Sequence, residues 1–140
     1  MATQVNYDDV NVGDEIPTLV VGPVTRHDLA LYCGASGDHN PIHTDSDFAK
    51  KAGLGDVIVH GMLQMAYLGR LLTDWVPQDR LREFNSRFTA MARPHDTITC
   101  TGKITEKFEE GGEKRVRVEI AAATDKGDTT LQGSAVVALG

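Results

Sequence analysis

A carboxylate and an imidazole lie close together in the segment 37–43, which reads GDHNPIH. Pro41 disfavours the α region for Asn40, so the sequence predicts an irregular loop here. On such a loop Asp38 and His43 can meet across a turn, whereas on a helix their spacing would make them diverge. Together they could hold one water molecule, with one group accepting a proton and the other donating one.

The same loop also suits a turn without chemistry. Aspartate and asparagine are common turn formers, so Asp38 and Asn40 could simply shape the chain. His43 would then be an ordinary loop histidine with its hydrogen bonds satisfied. Residue types alone leave both interpretations open.

A second candidate is the pair His60 and Gly61, which precede the most regular helical segment, predicted at 62–75. Backbone N–H groups at a helix N-terminus are unpaired and lie at the positive end of the helix dipole. A glycine there lets a ligand approach closely, so the Gly61 N–H could stabilise an oxyanion. The alternative is a glycine that only permits a tight turn into the helix.

Metal chemistry and a serine nucleophile are less favoured. His39, His43 and His60 could form a zinc-ligand set, but the spacing of the first two suits a helix that Pro41 would break. Ser36 lies one residue short of a nucleophile elbow and does not follow a strand. We therefore expect no metal and no cofactor.

The elements that must position these residues divide the chain into a helical part and a β-rich part. Before the long helix the sequence predicts an edge strand at 16–24, a short helix capped by Thr25 and ending at Gly34, and a helix at 47–52. After it come four segments rich in β-prone residues, at 84–92, 97–108, 115–124 and 129–139. Glycine in two of the breaks between them favours hairpins. The pattern predicts one α+β domain, 1–140, with an antiparallel sheet packed on the long helix.

Composition narrows the class of protein. A chain of 140 residues has the size of one domain. With 20 acidic and 14 basic residues its net charge is -6, which argues against nucleic-acid binding. The first residues contain no apolar run typical of a signal peptide, and the apolar stretches are too short to cross a membrane. We expect a cytoplasmic protein.

The loop and its flanks resemble a known family. The segment 32–43, YCGASGDHNPIH, followed by Phe-Ala at 48–49, resembles the hydratase 2 motif of MaoC-like dehydratases. That family includes R-specific enoyl-CoA hydratases and mycobacterial-type hydroxyacyl-ACP dehydratase subunits. The VHGM sequence at 59–62 matches the start of the family's central helix, and RPHDT at 93–97 looks like its Pro-x-Asp turn, with His95 where glycine is common.

The resemblance covers nearly the whole chain and implies a single hot-dog fold, an antiparallel sheet wrapped around one long helix. Asp38 and His43 match the family's catalytic pair, and Gly61 matches the glycine whose N–H holds the thioester carbonyl. The implied reaction is reversible hydration of trans-2-enoyl thioesters, carried by CoA or an acyl carrier protein (ACP), to (R)-3-hydroxyacyl thioesters. Substrate-binding or supporting roles are expected of Ser36, Asn40, His60 and Met62. A homodimer is implied, or a heterodimer with another hot-dog subunit.

Two other functions stay open. A hot-dog thioesterase would also use a carboxylate and an activated water, but would hydrolyse the thioester. A subunit of a heteromeric hydroxyacyl dehydratase would shape the acyl tunnel for its partner, although such subunits often lose the Asp/His pair that this chain keeps.

The carrier and the acyl length are not determined by the sequence. The phosphates of CoA, or an acidic carrier protein, would favour positive charge at the mouth of the tunnel. The available basic residues are Lys50, Lys51, Arg87 and Arg93, which the sequence does not place together. We expect the pocket depth to depend on how Leu63 and Tyr67 pack.

Overall fold

The computed structural model describes Ala2 and residues 4–140. The helices and strands of this part of the chain are β1 (Leu19–Val21), α1 (Arg26–Ser36), α2 (Ser46–Lys51), α3 (Gly61–Trp75), β2 (Leu81–Phe88), β3 (Ile98–Glu110), β4 (Glu113–Thr124) and β5 (Thr129–Ala138). Short 3-10 turns lie at Tyr7–Asp9, Pro41–His43 and Gln78–Arg80.

The five strands form one antiparallel sheet in the order β1-β3-β4-β5-β2. Two tight turns, each with a glycine at positive φ, connect β3 to β4 and β4 to β5. The hairpins that the glycine-containing breaks predicted are therefore present. Strands β1 and β2 lie at the two edges of the sheet.

One face of the sheet is buried against α3. Along β4 buried and more exposed residues alternate, and Val116, Val118 and Ile120 point into the core. They share the core with Leu68 and Leu72 of α3, both fully buried. Burial of such aliphatic side chains, roughly 1.5–3 kcal/mol each, is the main force holding helix and sheet together. The fold is the α+β hot dog expected from the sequence.

Three predicted elements had wrong boundaries. The edge strand is shorter than 16–24, because Gly22 has a φ of 123 and turns the chain out of the sheet. Helix α1 continues past Gly34 to Ser36 and ends where Gly37 adopts a left-handed φ of 77 and donates to the carbonyl of Cys33. The first long strand covers Leu81–Phe88 instead of 84–92, since the chain beyond Phe88 leaves the sheet.

The segment that follows Phe88 connects the edge of the sheet with the start of α3. The Ala92 carbonyl accepts a hydrogen bond from Val59 N at 2.9 Å, just ahead of the helix. The Ile42 carbonyl accepts one from Ile58 N at 3.1 Å, which ties the GDHNPIH loop to the same segment. Helix start, loop and sheet edge therefore meet at one place. Among the described helices, none has the length and apolar character needed to cross a bilayer.

Candidate active site

The loop that carries Asp38 is shaped by its own polar side chains. Ser36 Oγ donates to the Tyr32 carbonyl at 2.7 Å and accepts from Asp38 N at 3.1 Å, so it directs the chain out of α1. Asp38 Oδ1 accepts from Asn40 N at 3.3 Å, and Asn40 Oδ1 accepts from Ile42 N at 3.2 Å, capping the turn that carries His43. Ser36 and Asn40 thus contact the loop backbone.

Asp38 and His43 face each other across this turn. The distance from Asp38 Oδ2 to His43 Nε2 is 3.7 Å. That is too long for a direct hydrogen bond, and at such a separation a bridging water is the usual link. The histidine side chain is 8% exposed and the aspartate 46%, so the pair lies at the boundary between protein interior and solvent.

A hydrogen bond to the backbone fixes the orientation of the His43 ring. His43 Nδ1 lies 2.8 Å from the Ile58 carbonyl oxygen, which can only accept a hydrogen bond. Nδ1 therefore carries the hydrogen, and in the neutral ring Nε2 has its lone pair directed toward Asp38. This tautomer suits an acid/base role at Nε2.

His60 lies behind His43 and is 1% exposed. Its ring stacks on that of His43 with 3.8 Å between centroids, and its Nε2 lies 3.4 Å from the Asp38 carbonyl oxygen. Burial lowers the pKa of His60, and the neighbouring His43 lowers it further, both of which favour the neutral ring. His60 therefore supports the two candidate catalytic residues and does not line the pocket in front of them.

The side chains of Asp38, His43 and His60 offer ligand atoms within 4.8 Å of one another. The geometry of the two rings does not suit a shared metal ion, because imidazole lone pairs lie in the ring plane and stacked rings direct them side by side. His39, the third member of the zinc set weighed from the sequence, is exposed and is not part of this group.

A pocket of about 320 Å³ opens in front of the pair. Its wall combines Asp38, His43, Gly61 and Gln64 with apolar side chains, which are those of Ile58, Val59, Met62, Phe88, Ala90 and Met91. Gly61 is the first residue of α3, so its N–H has no partner within the helix. The first helical N–H group, the carboxylate and the imidazole therefore border one cavity.

Gly61 also makes room for a neighbouring ring. A Cβ at this position would lie 2.8 Å from Phe88 Cε1, closer than side chains tolerate. The glycine thus serves the packing of the helix start as well as leaving its N–H open. The packing of Phe88 accounts for a glycine at the helix start, and the oxyanion role of the Gly61 N–H stays a prediction.

The structure brings Asp38, His43, Gly61 and Met62 to the pocket. The residue that sequence reasoning missed is Gln64, which is buried in α3 and lines the same wall. A signal was present, because Gln64 lies three residues after Gly61 and shares its helix face. Leu63 and Tyr67, on whose packing we expect the pocket depth to depend, are partly buried and pack against the core.

Fold and site together define a hot-dog protein with an Asp/His pair beside the N-terminus of its central helix. Residues 10–126 match the family model described as MaoC like domain. The chain belongs to the MaoC-like dehydratase family.

Two similar proteins match almost end to end. An (R)-specific enoyl-CoA hydratase of Rhodospirillum rubrum is 26% identical over 133 residues, covering 94% of this chain and 89% of that protein. The solved structure of an (R)-hydratase from A. caviae involved in PHA biosynthesis has a TM-score of 0.82 and 25% identity, covering 94% of this chain and 98% of that one.

A third similar protein is much longer. The fatty acid synthase subunit beta of Aspergillus oryzae is 35% identical over 125 residues, which cover 76% of this chain but only 6% of that protein. The chain therefore spans a small part of that relative's length.

Proposed function

We propose that this protein is a hydro-lyase that reversibly converts trans-2-enoyl thioesters to (R)-3-hydroxyacyl thioesters, with Asp38 and His43 sharing one water molecule. The observation that carries the proposal is the 3.7 Å separation of Asp38 Oδ2 and His43 Nε2 at the wall of the pocket that Gly61 borders. An acid/base pair holding one water needs neither a metal nor a cofactor for this reaction.

In the hydration direction the water oxygen forms a bond to C3 while the pair takes up one of its protons. The electrons of the double bond move toward the thioester, whose carbonyl oxygen gains negative charge. The N–H of Gly61, at the positive end of the α3 dipole, stabilises that charge. The pair then returns a proton to C2, so the product carries no net change in charge.

The substrate class is supported by the family and by the relatives. The hydratase of Rhodospirillum rubrum matches along most of both chains and is named for enoyl-CoA. The similarity to a fatty acid synthase subunit, which covers only 6% of that protein, leaves a carrier-protein thioester as a second candidate. The basic residues considered from the sequence do not favour CoA over a carrier protein. Arg87 donates a hydrogen bond to Gln132, and Arg93 donates one to the Leu54 carbonyl.

Association with a second hot-dog chain is part of the proposal. Met62 and Phe88, 54% and 55% exposed, lie at the pocket beside the exposed Met91. Apolar side chains grouped at the surface are typical of protein interfaces. A homodimer, or a heterodimer with a related subunit, would cover them and narrow the mouth of the pocket. The cytoplasmic location also stays a prediction.

The test is hydration of crotonyl-CoA and longer trans-2-enoyl-CoAs, followed by loss of the conjugated-enoyl absorbance. We expect Asp38→Asn and His43→Asn each to lower kcat by a hundredfold or more, since acid/base groups contribute on the order of 100-fold to 10,000-fold. Matched controls are Asp74→Asn and His27→Asn, which make the same changes at exposed positions on other faces.

Circular dichroism and melting temperature would verify that all four variants fold. Wild-type rates in either pair variant would remove that residue from the catalytic role. Release of free thiol without hydration would instead identify a thioesterase, and activity only with a second hot-dog chain would identify a subunit of a heteromeric dehydratase.

A further inference from the structure

We propose that the side-chain amide of Gln64 donates a second hydrogen bond to the thioester carbonyl, beside that of the Gly61 N–H. This inference rests on the proposed function for the identity of the substrate. It assigns a substrate-contacting role to a residue for which the sequence motifs implied none.

Gln64 is a polar side chain buried without a partner for its carbonyl. It is 1% exposed, and its Oε1 makes no hydrogen bond within the described chain. Buried amides are rarely left in this state, because losing water without gaining a partner costs free energy. Since a half-turn of the terminal amide exchanges its oxygen and nitrogen in the same space, the group can present either a donor or an acceptor to a ligand.

The direction of the side chain points to the helix start. Gln64 lies on the same face of α3 as Gly61, one turn later. Side chains on a helix lean toward its N-terminus, so the Gln64 amide covers the turn that begins with Gly61. Gly61 has no side chain to separate that amide from the first N–H of the helix.

The other polar side chains of the pocket form the proposed acid/base pair. Of the described residues lining it, Asp38 and His43 face each other and the rest, apart from Gly61 and Gln64, are apolar. An acyl chain would contact only apolar side chains in this pocket. The strongly polar atom of the thioester is its carbonyl oxygen, and this is the atom to which the Gln64 amide could donate a hydrogen bond. Oxyanion sites commonly use two hydrogen-bond donors. The Gly61 N–H would be one of them, and the Gln64 amide would be the second.

The test separates carbonyl binding from turnover. Asp38→Asn is saturated with trans-2-hexenoyl-CoA, and the ultraviolet absorbance of the bound enoyl thioester is compared with the free compound. Hydrogen bonds to the carbonyl oxygen polarise the conjugated system and move its absorbance to longer wavelength. We expect this red shift in Asp38→Asn and a clearly smaller one in Asp38→Asn/Gln64→Met, at saturation verified by calorimetry.

In the wild-type background Gln64→Met is expected to lower kcat on the order of a hundredfold with little change in KM. Its melting temperature should equal or exceed that of wild type, because an unpartnered buried amide has been replaced by an apolar side chain. The control Gln78→Met, the same change at an exposed position, should leave kcat unaltered.

Equal red shifts with and without Gln64, or no shift in saturated Asp38→Asn, would overturn the assignment. The absorbance shift is measured on bound enoyl thioester and does not depend on hydration. A protein that hydrates no enoyl thioester would contradict the proposed function, while the shift would still decide the role of Gln64.

Discussion

The imidazole rings of His43 and His60 stack at 3.8 Å between centroids, with 20° between their planes. One ring faces the pocket and the other is buried behind it. Through its Nε2 the buried ring also reaches the Asp38 carbonyl oxygen at 3.4 Å. His60 thus contacts both members of the pair and does not line the pocket, and we therefore predict that it is a positioning residue.

Removal of the His60 ring should therefore lower kcat, although the ring itself would not contact the substrate. We expect His60→Ala to lower kcat on the order of a hundredfold, as misplacement of a catalytic group typically does. Its free energy of unfolding should fall by about 2–5 kcal/mol, the usual range for a large-to-small change in a core. His60→Phe keeps the stacking surface and should recover most of the stability and part of kcat. Steady-state kinetics and denaturant unfolding measure both, and a Phe variant no better than Ala would exclude stacking as the cause.

Burial of neutral His60 should also make stability depend on pH. Its pKa is lowered by burial from the ordinary value of 6.5, so the unfolded chain binds this proton more readily than the folded protein. The stabilising contribution is complete above pH 6.5 and is lost as the pH falls through the lower, folded-state pKa. Unfolding free energies at pH 7.5 and 5.5 should differ less in His60→Phe than in wild type. The exposed His27→Asn should keep the wild-type difference, and an unchanged difference in His60→Phe would contradict the prediction.

Gly61 and Phe88 are expected to be coupled. Gly61→Ala places a methyl group 2.8 Å from Phe88 Cε1, so the ring must move. Because Phe88 is 55% exposed, we expect a cost of about 1 kcal/mol, the low end of the range for overpacking. In the Gly61→Ala/Phe88→Ala variant the methyl group no longer meets the ring, so we expect the overpacking cost to disappear and the two substitutions to show a non-zero coupling energy. A double-mutant cycle of unfolding free energies measures it.

A matched glycine on the same helix serves as the control. A Cβ at Gly69 would lie 3.6 Å from Phe84 Cε1, an ordinary contact. Gly69→Ala should therefore stabilise the helix by roughly 0.5–1 kcal/mol, the usual advantage of alanine over glycine. Additive effects of Gly61→Ala and Phe88→Ala would show that the ring does not limit residue 61.

Asn40 should act through the turn that carries His43. Its Oδ1 accepts from Ile42 N, so Asn40→Ala removes a cap and should destabilise the protein by about 0.5–2 kcal/mol. We expect kcat to fall because His43 loses its fixed position, with KM little changed. Asn40→Asp keeps the accepting oxygen and should remain near wild type in both. Equal losses in the two variants would indicate that the amide nitrogen of Asn40, and not the cap, matters.

The loop and its pair were largely predictable because the signals are local. Pro41 and the turn formers around it indicate an irregular loop from the sequence alone. The same is true of the hairpins, whose glycines must adopt positive φ. His95 is a residue other than glycine that has a positive φ, of 74. Glycine adopts this conformation readily, which agrees with the glycine that the family resemblance implies for this turn.

The placement of the His60 ring and the burial of Gln64 could not be read from the sequence, because they depend on which way α3 is turned. The spacing of Gln64 from Gly61 indicates only that the two residues share a helix face. Periodicity indicates that a helix has an apolar face, but the buried stripe of α3 includes Gln64 along with Leu68 and Leu72. Likewise the VHGM motif predicts His60 near the substrate, whereas the chain direction before α3 places its ring behind His43. Long-range packing determines both outcomes.

Asp38 and His43 are proposed to act as one unit on one water molecule. The kcat/KM for trans-2-enoyl-CoA hydration in Asp38→Asn, His43→Asn and the double variant tests this directly. Groups that serve a single step are strongly non-additive, so the double variant should be about as slow as the slower single variant. Losses that multiply, with each residue contributing independently of the other, would show that the two residues do not act on a shared water.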